Sequence, residues 1–172
     1  SHLRAVEGRM EQAGRNAAGA RIYVDYAHTP DALETVLAAI RPHVKGKLSV
    51  VFGCGGDRDR GKRKIMGEIA AQLADQVYVT DDNPRTEDPA LIRAEVMEGC
   101  PEAIEIGDRS LAIQKAVQDL QKGDILLVAG KGHEQGQVIG KQVRPFDDLS
   151  EIRSTLALEM KSPVPEARRR GA

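Results

Sequence analysis

Aromatic residues and cysteine are scarce in this chain of 172 residues, and it has no long apolar segment. Aromatics make up 3% of the sequence and tryptophan does not occur, so stacking platforms for single-stranded nucleic acid are not expected. Two cysteines cannot form a disulfide framework or a four-cysteine metal site. The longest apolar runs, such as Ile125–Ala129, are far too short to cross a bilayer. We therefore expect neither a membrane protein nor a nucleic-acid-binding protein.

Neither sign of charge is in excess, because 25 Lys and Arg stand against 26 Asp and Glu. The net charge of -1 provides no global field that would attract nucleic acid. A content of 41% hydrophobic and 30% charged residues is typical of a globular protein, and the length suits one domain with its own core. The first residues include no apolar region of a signal peptide and no initial Met. We therefore expect a cytoplasmic location and a longer parent protein.

Short apolar runs alternate with longer segments of helical period, which predicts an α/β fold. The predicted strands cover residues 21–26, 48–52, 77–80, 103–106 and 124–129, and the predicted helices cover about 29–40, 62–74, 89–97, 111–123 and 148–161. Ile65 and Leu91 are expected on the buried faces of their helices. A short hairpin is predicted over 137–144, and the tail 162–172, with its prolines and arginines, is predicted to be disordered. Residues 1–161 are thus predicted to form one domain with a Rossmann-like, doubly wound, mostly parallel sheet.

Four polar segments follow the ends of predicted strands, where ligands bind in sheets of this kind. They are Asp25-Tyr-Ala-His-Thr-Pro-Asp31, Gly53-Cys-Gly-Gly-Asp-Arg-Asp-Arg-Gly61, Asp81-Asp-Asn-Pro-Arg85 and Gly130-Lys-Gly-His-Glu134. Because the carboxyl ends of parallel strands share one edge of the sheet, we expect these segments to line a common rim.

The glycine-rich segment has most of the spacing of a P-loop, with Gly56 and Gly61 separated by four residues. Arg63 stands where a P-loop has the Ser or Thr that binds magnesium, and two aspartates lie in the spacer. These departures disfavour a P-loop. Two alternatives stay open: a glycine turn whose charges pair with one another, and a loop that binds an anionic ligand through Arg58.

The other segments also allow two interpretations each. Residues 81–85 form either a capped turn or a clamp in which the Arg85 guanidinium makes two parallel bonds to a ligand carboxylate. Residues 130–134 form either a flexible turn or a site in which Glu134 binds an ammonium group and Gly130 lets the backbone approach a ligand. His28 suits a ligand contact as well as a structural role. The spacing supports neither a zinc site nor a nucleophile triad.

Together and in this order, the four segments resemble the C-terminal domain of the Mur ligases, in the variant that adds meso-diaminopimelate. The resemblance runs from about Gly8 to Lys161. It implies a bacterial, cytoplasmic ligase of peptidoglycan synthesis that forms an amide with ATP and Mg2+. In that reaction ATP phosphorylates the D-glutamate carboxylate of UDP-N-acetylmuramoyl-L-alanyl-D-glutamate, and the amine of diaminopimelate attacks the acyl phosphate.

The resemblance also implies roles for individual residues. Those implied to bind meso-diaminopimelate are Arg58, Asp82, Asn83, Pro84, Arg85, Gly130 and Glu134, and those implied to reach the nucleotide are Arg9, Asp25, Tyr26 and His28. The family places its P-loop and most magnesium ligands in a central domain, and its UDP-sugar site mainly in an N-terminal domain. Neither domain is in this chain, so we expect no catalytic residue and no metal ligand here. The chain alone is expected to be an inactive monomer.

The chemistry of the amino acid agrees with these roles. Diaminopimelate differs from lysine by a second carboxylate on the distal carbon, which a fixed cation such as Arg85 would select. Charged hydrogen bonds contribute about 1.5–3 kcal/mol each, so two of them would discriminate ~10²-fold or better. Two alternatives stay open: a free-standing α/β ligand-binding module without partner domains, and a Mur ligase domain that takes a different amino acid.

Overall fold

A computed structural model describes residues 10–161 of the chain. In chain order the elements are β1 (Glu11–Arg15), β2 (Arg21–Asp25), α1 (Pro30–Ile40), a 3-10 turn (Arg41–His43), β3 (Leu48–Phe52), α2 (Gly61–Leu73), β4 (Gln76–Val79), α3 (Pro89–Met97), β5 (Ile104–Glu105), α4 (Arg109–Asp119), β6 (Ile125–Ala129), β7 (Gly136–Ile139), β8 (Gln142–Pro145) and α5 (Asp148–Lys161). Arg9, implied to reach the nucleotide, and the tail 162–172, predicted to be disordered, lie outside the described residues.

Six of the strands form one sheet in the order β1-β2-β6-β3-β4-β5. All neighbouring strands run parallel except β1, which pairs antiparallel with β2. Strand β6 is inserted between β2 and β3, so that Leu127 lies opposite Tyr23 on one side and Val50 on the other. This topology confirms the predicted doubly wound, mostly parallel sheet.

Helices cover both faces of the sheet, with α1, α2 and α3 on one face and α4 and α5 on the other. Strand β6 is buried along its whole length. Its residues Ile125, Leu127 and Ala129 face the first layer of helices, and Leu126 and Val128 face the second. A parallel strand covered on both sides needs apolar residues at every position, which explains the unbroken apolar run in the sequence. None of the helices within residues 10–161 has both the length and the apolar character needed to cross a bilayer.

Capping side chains fix where three of the helices begin. Side-chain oxygens of Thr29, Asp88 and Asp108 accept hydrogen bonds from backbone N–H groups in the first turns of α1, α3 and α4, at 3.2, 2.9 and 3.1 Å. Helices α1 and α3 also have Pro in the first turn, where its missing N–H leaves no bond unmade. These caps end the loops that leave the carboxyl ends of the preceding strands.

Two sequence-based assignments are wrong and one strand was not predicted. Ile65 and Leu91 are 48% and 64% exposed, because α2 and α3 each bury a narrower stripe than the apolar pattern suggests. In α3 the buried residues are Ile92 and Val96. Strand β1 was missed because it lies at the edge of the sheet, pairs on one side only and is half-buried or exposed. Its sequence therefore lacks the apolar residues that identify an inner strand.

Candidate functional site

A cavity of about 380 Å3 opens at the rim formed by the carboxyl ends of β2, β6, β3 and β4. Eight residues singled out from the sequence line it: Tyr26, His28, Arg58, Asp82, Asn83, Arg85, Gly130 and Glu134. Six further lining residues were not singled out: Gly53, Cys54, Gly55, Asp59, Lys62 and Met66. All four polar segments therefore meet at one place, as the parallel topology requires.

Asp25 and Pro84 do not line the cavity but shape its wall. The Asp25 carboxylate is buried and accepts a hydrogen bond from the Ala27 N–H at 2.7 Å, which turns the chain at the end of β2. Pro84 is buried beneath the glycine-rich loop, and a Cβ built on Gly56 would lie only 1.8 Å from the Pro84 carbonyl oxygen. Glycine at position 56 is thus required for the two loops to touch.

Lys131 is a buried residue of the site that the sequence analysis did not single out. Its Nζ donates hydrogen bonds to Asn83 Oδ1 at 2.8 Å and to the Gly136 carbonyl at 3.1 Å. It also lies 2.9 Å from Asp82 Oδ1, in an ion pair whose angles do not suit a hydrogen bond. The side chain is fully buried, so Lys131 neutralises Asp82 and joins the loops 81–85 and 130–136. The only indication in the sequence was a lysine between two glycines.

These contacts decide which end of Asn83 can meet a ligand. Its Oδ1 accepts from both Lys131 Nζ and the Val138 N–H, the latter at 3.0 Å. The amide nitrogen has no hydrogen bond within residues 10–161. The Asn83 side chain therefore presents a hydrogen-bond donor, and not an acceptor, to the cavity.

The charges left for a ligand are mostly positive. Arg58 donates only to the carbonyl of its neighbour Asp57, at 3.0 Å, and Lys62 makes no hydrogen bond or ion pair within residues 10–161. Arg85 donates through Nη1 to the Gly56 carbonyl at 2.9 Å. This acceptor is neutral, and Arg85 forms no ion pair within residues 10–161. Glu134 supplies the opposing negative charge, since it is 38% exposed and 3.9 Å from Lys131 Nζ. Such a cavity suits a ligand that carries carboxylates together with an ammonium group.

Arg63, which stands at the Ser or Thr position of a P-loop, is a structural anchor. It is 1% exposed and forms ion pairs with Glu87 at 2.6 Å and Glu95 at 3.0 Å. Its Nη2 also donates to the Gly55 carbonyl at 3.1 Å. The hydrogen bond from Arg63 is the main cause that holds the pKa of Glu87 below its usual value. Arg63 thus fixes the glycine-rich loop against α3 instead of leaving room for a metal-bound phosphate.

The remaining charges of the glycine-rich loop pair mostly with other elements and not with one another. Asp57 accepts from the Thr86 hydroxyl at 2.7 Å, and Arg60 pairs with Glu95. Asp59 accepts from the Gly61 N–H at 2.9 Å, so a carboxylate of the chain already occupies the first free N–H of α2. This leaves Arg58 as the one guanidinium of the loop that points its charge toward the cavity without a side-chain partner among the described residues.

Arg109 lies outside the four polar segments in sequence, but its buried guanidinium connects two of them, residues 81–85 and 130–134. Arg109 is completely buried and forms two hydrogen bonds of 2.8 Å with the Asp148 carboxylate. It also donates to the Ala129 carbonyl at 3.0 Å and to the Asp81 carbonyl at 3.2 Å. These carbonyls belong to the residues immediately before Gly130 and Asp82, so Arg109 fixes the starting points of both loops.

The φ angle of Gly130 is 114°, a backbone conformation that is strained for any residue with a side chain. A Cβ at this position would lie 3.2 Å from Asp82 Oδ2. The absence of a side chain therefore lets the loop after β6 approach the loop after β4 closely. Because Gly130 lines the cavity, any larger residue here would narrow it.

Cys54, Tyr26 and His28 also line the cavity, and among them only Cys54 carries a thiol that could act as a nucleophile. Burial, and then the negative charge of Asp82, raise the pKa of Cys54 to about 12, so this thiol is not ionised near neutral pH. Tyr26 and His28 are exposed at the rim, with ring centroids 4.5 Å apart and His28 Nδ1 3.0 Å from the Tyr26 carbonyl oxygen. No cluster of three His, Cys, Asp or Glu residues suited to a metal ion occurs within residues 10–161.

Comparison with known proteins gives consistent matches. Residues 8–132 match the family described as Mur ligase, glutamate ligase domain. The chain is 59% identical over 154 residues to a UDP-N-acetylmuramoyl-L-alanyl-D-glutamate--2,6-diaminopimelate ligase of Caulobacter vibrioides, a match that covers 90% of this chain and 32% of the relative. It is 61% identical over 155 residues to the protein of the same name from a Chelativorans species, with 90% and 32% covered. The chain thus spans about a third of the length of the curated relatives it matches.

Solved structures agree with these matches. The structure of a ligase of the same name superposes with a TM-score of 0.85 at 45% identity, covering 90% of this chain and 32% of that one. A bifunctional folylpolyglutamate synthase/dihydrofolate synthase from Yersinia pestis, at 18% identity, 90% and 32% coverage and a TM-score of 0.57, shares the fold. The matched family covers well over half of the chain. The chain therefore belongs to the Mur ligase family, and the matched part is its glutamate ligase domain.

Proposed function

We propose that this chain is the amino-acid-binding domain of a ligase that adds meso-diaminopimelate to UDP-N-acetylmuramoyl-L-alanyl-D-glutamate with ATP. The main support for this proposal is the cavity, where the charged groups of Arg58, Arg85 and Glu134 are accessible to a ligand. The high identity to relatives named as diaminopimelate ligases supports the same choice of substrate. The domain would act as part of a longer, cytoplasmic and monomeric bacterial enzyme of peptidoglycan synthesis.

The charges of the cavity complement those of meso-diaminopimelate. This amino acid carries an ammonium and a carboxylate at each end. Arg85 and Arg58 would bind carboxylates, Glu134 would bind an ammonium, and the Asn83 amide nitrogen would donate a further hydrogen bond. Lysine has no distal carboxylate, so its binding would leave a guanidinium unpaired and partly desolvated. The amine that attacks must be neutral, and the described residues serve to orient it toward the acyl phosphate of the other substrate.

ATP and Mg2+ would be bound mainly outside this domain. Within residues 10–161 no cluster of side chains suits a metal ion, so Mg2+ has no evident ligand set there. The exposed rings of Tyr26 and His28 lie at the rim, where they can contact a nucleotide that another domain presents. Asp25 would act by shaping the turn that carries them. We therefore expect no ATP-dependent ligation by this chain alone, and detection of that reaction would contradict the assignment.

Titration of the chain with meso-diaminopimelate tests the proposal, with L-lysine as the competing amino acid. Calorimetry or NMR should show selective binding of meso-diaminopimelate. Arg85→Ala should weaken it by ~10²-fold, because two charge-assisted hydrogen bonds are lost, and should leave lysine binding unchanged. Arg153→Ala, at an exposed position of α5, is the matched control and should change neither affinity. Equal binding of both amino acids, or of neither at millimolar concentration, would refute the claim that specificity resides in this cavity.

A further inference from the structure

The β7–β8 hairpin lies outside the main sheet and has little core of its own. It forms a separate two-stranded sheet, and all of its strand residues are half-buried or exposed. A hairpin of two strands is at best marginally stable in water when isolated. Its position must therefore be fixed by its contacts with the rest of the chain.

The hairpin contacts the loop that carries the predicted specificity residues. Gln137 Nε2 donates to the Asp82 carbonyl at 2.8 Å, and the Val138 N–H donates to Asn83 Oδ1 at 3.0 Å. Lys131, buried beneath both, donates to the carbonyl of Gly136 at the start of β7. One edge of the hairpin thus runs along residues 82–85.

Arg85 receives the most constraining of these contacts, because both of its backbone polar groups bond to the hairpin. Its N–H donates to the Val138 carbonyl at 3.0 Å, and its carbonyl accepts from the Gly140 N–H at 2.6 Å. Arg85 pairs with Ile139 as if it were a one-residue parallel strand. The main chain of Arg85 is thus held through both its N–H and its carbonyl by an element outside the main sheet.

The backbone of Arg85 shows what these two bonds accomplish. Its φ is 51°, in the left-handed region that a residue with a side chain occupies at a cost. Such a conformation persists only where the surrounding structure enforces it, and it is concentrated at functional sites. From this backbone the guanidinium lines the cavity and donates to the Gly56 carbonyl in the glycine-rich loop. A relaxed backbone at Arg85 would aim the side chain elsewhere.

We infer that the β7–β8 hairpin is a specificity determinant of the cavity, with Gln137 and Gly140 as its positioning residues. By holding Arg85 left-handed, the hairpin places the guanidinium where a distal carboxylate of an amino acid can bind. The inference rests on the proposed function for the identity of the ligand, but the clamp on Arg85 can be tested without any ligand.

The hairpin offers two pairs of matched variants. Gln137→Ala removes the bond to the Asp82 carbonyl, whereas Gln142→Ala changes an exposed glutamine on the other strand of the hairpin. Gly140 has φ of 59°, and a Cβ there would meet nothing within 4 Å, so a substitution acts through the backbone alone. Gly140→Val is strained in that conformation, whereas Gly140→Asn tolerates it and keeps the N–H that bonds to Arg85.

Two quantities are measured on the chain: the hydrogen-exchange rate of the Arg85 amide, and the ratio of affinities for meso-diaminopimelate and L-lysine. In Gln137→Ala and Gly140→Val we expect exchange about five- to tenfold faster and a ratio lower by a similar factor, the change that loss of one hydrogen bond produces. Gln142→Ala and Gly140→Asn should match the unchanged chain. Exchange at Leu127 in β6 should stay the same in all four variants, which shows that the core is intact.

Each outcome decides part of the inference. Unchanged Arg85 exchange in Gln137→Ala and Gly140→Val would refute the clamp. Faster exchange with an unchanged affinity ratio would refute its role in specificity. Failure of the unchanged chain to prefer meso-diaminopimelate would refute the proposed function and the specificity role together, while Arg85 exchange would still decide whether the hairpin holds that residue.

Discussion

Replacing Arg109 by Met should be among the most damaging single changes in the chain. The guanidinium makes two 2.8 Å bonds to Asp148, and both side chains have zero exposure. Met fills a similar volume but leaves the Asp148 carboxylate buried without its cation. Breaking a buried pair in this way costs about 3–5 kcal/mol, and the carbonyls of Asp81 and Ala129 lose their donors as well. That is a large fraction of the ~5–15 kcal/mol that typically stabilises a domain.

Urea unfolding of the chain, followed by circular dichroism, measures this loss directly. Adding Asp148→Asn to Arg109→Met removes the orphaned charge and should recover part of the lost stability, so that the double variant is more stable than Arg109→Met alone.

Arg41→Met is the matched control. Arg41 also makes two bonds to a carboxylate, that of Asp75, but the side chains are 43% and 39% exposed, and such a pair contributes only about 0–1 kcal/mol. Equal losses for Arg109→Met and Arg41→Met would show that burial does not set the cost. Failure of Asp148→Asn to restore any stability would show that the uncompensated charge is not its source.

Three further changes test other parts of the site. Lys131→Met should cost about 3–5 kcal/mol in urea unfolding because it leaves Asp82 uncompensated in a buried position, and a loss below about 1 kcal/mol would contradict the ion pair. Cys54 should react with iodoacetamide at pH 8 about 10³-fold more slowly than a free thiol, because its pKa is about 12 where 9.0 is ordinary, and a rate typical of free cysteine would refute this. The pKa of Glu87 is lowered in the folded chain from its usual 4.5, mainly by the hydrogen bond from Arg63, so its contribution to stability is present above that pH and is lost as the pH falls further. Glu87→Gln should therefore reduce the fall in Tm between pH 5 and pH 3, and an unchanged slope would exclude Glu87 as a cause.

The hydrophobic pattern was sufficient to predict the sheet but not which charges it buries. Strand β3 and helix α5 were predicted with their observed ends, because an apolar run or a helical stripe identifies a buried face. Nothing in the sequence marks Arg109 or Lys131 as a buried charge, although Lys131 lies in one of the four polar segments. Most of their partners lie 20 to 49 residues away in sequence, from the Ala129 carbonyl for Arg109 to Asp82 for Lys131, so only the folded chain brings them together.

The sequence was sufficient to locate the segments of the site, but not to predict which of their side chains face a ligand. Eight of the residues singled out line the cavity, because loops at the carboxyl ends of parallel strands must share a rim. Whether a polar side chain faces a ligand or a neighbouring loop depends on contacts between segments. Arg63 forms an ion pair with Glu87, and Asp57 accepts a hydrogen bond from Thr86. Arg58, next to Asp57, has no side-chain partner among the described residues and lines the cavity.

The place of β6 in the sheet has a consequence for the order in which the chain can fold during synthesis. This strand comes sixth in the chain but lies between β2 and β3, which do not touch each other without it. Until residues 125–129 have left the ribosome, β1–β2 and β3–β4–β5 cannot pair into one sheet, and each group keeps an open edge. Non-local parallel pairing of this kind is slow to form, and its unpaired edges are prone to aggregate. A nascent chain arrested before β6 should therefore be the species that chaperones bind and proteases cleave.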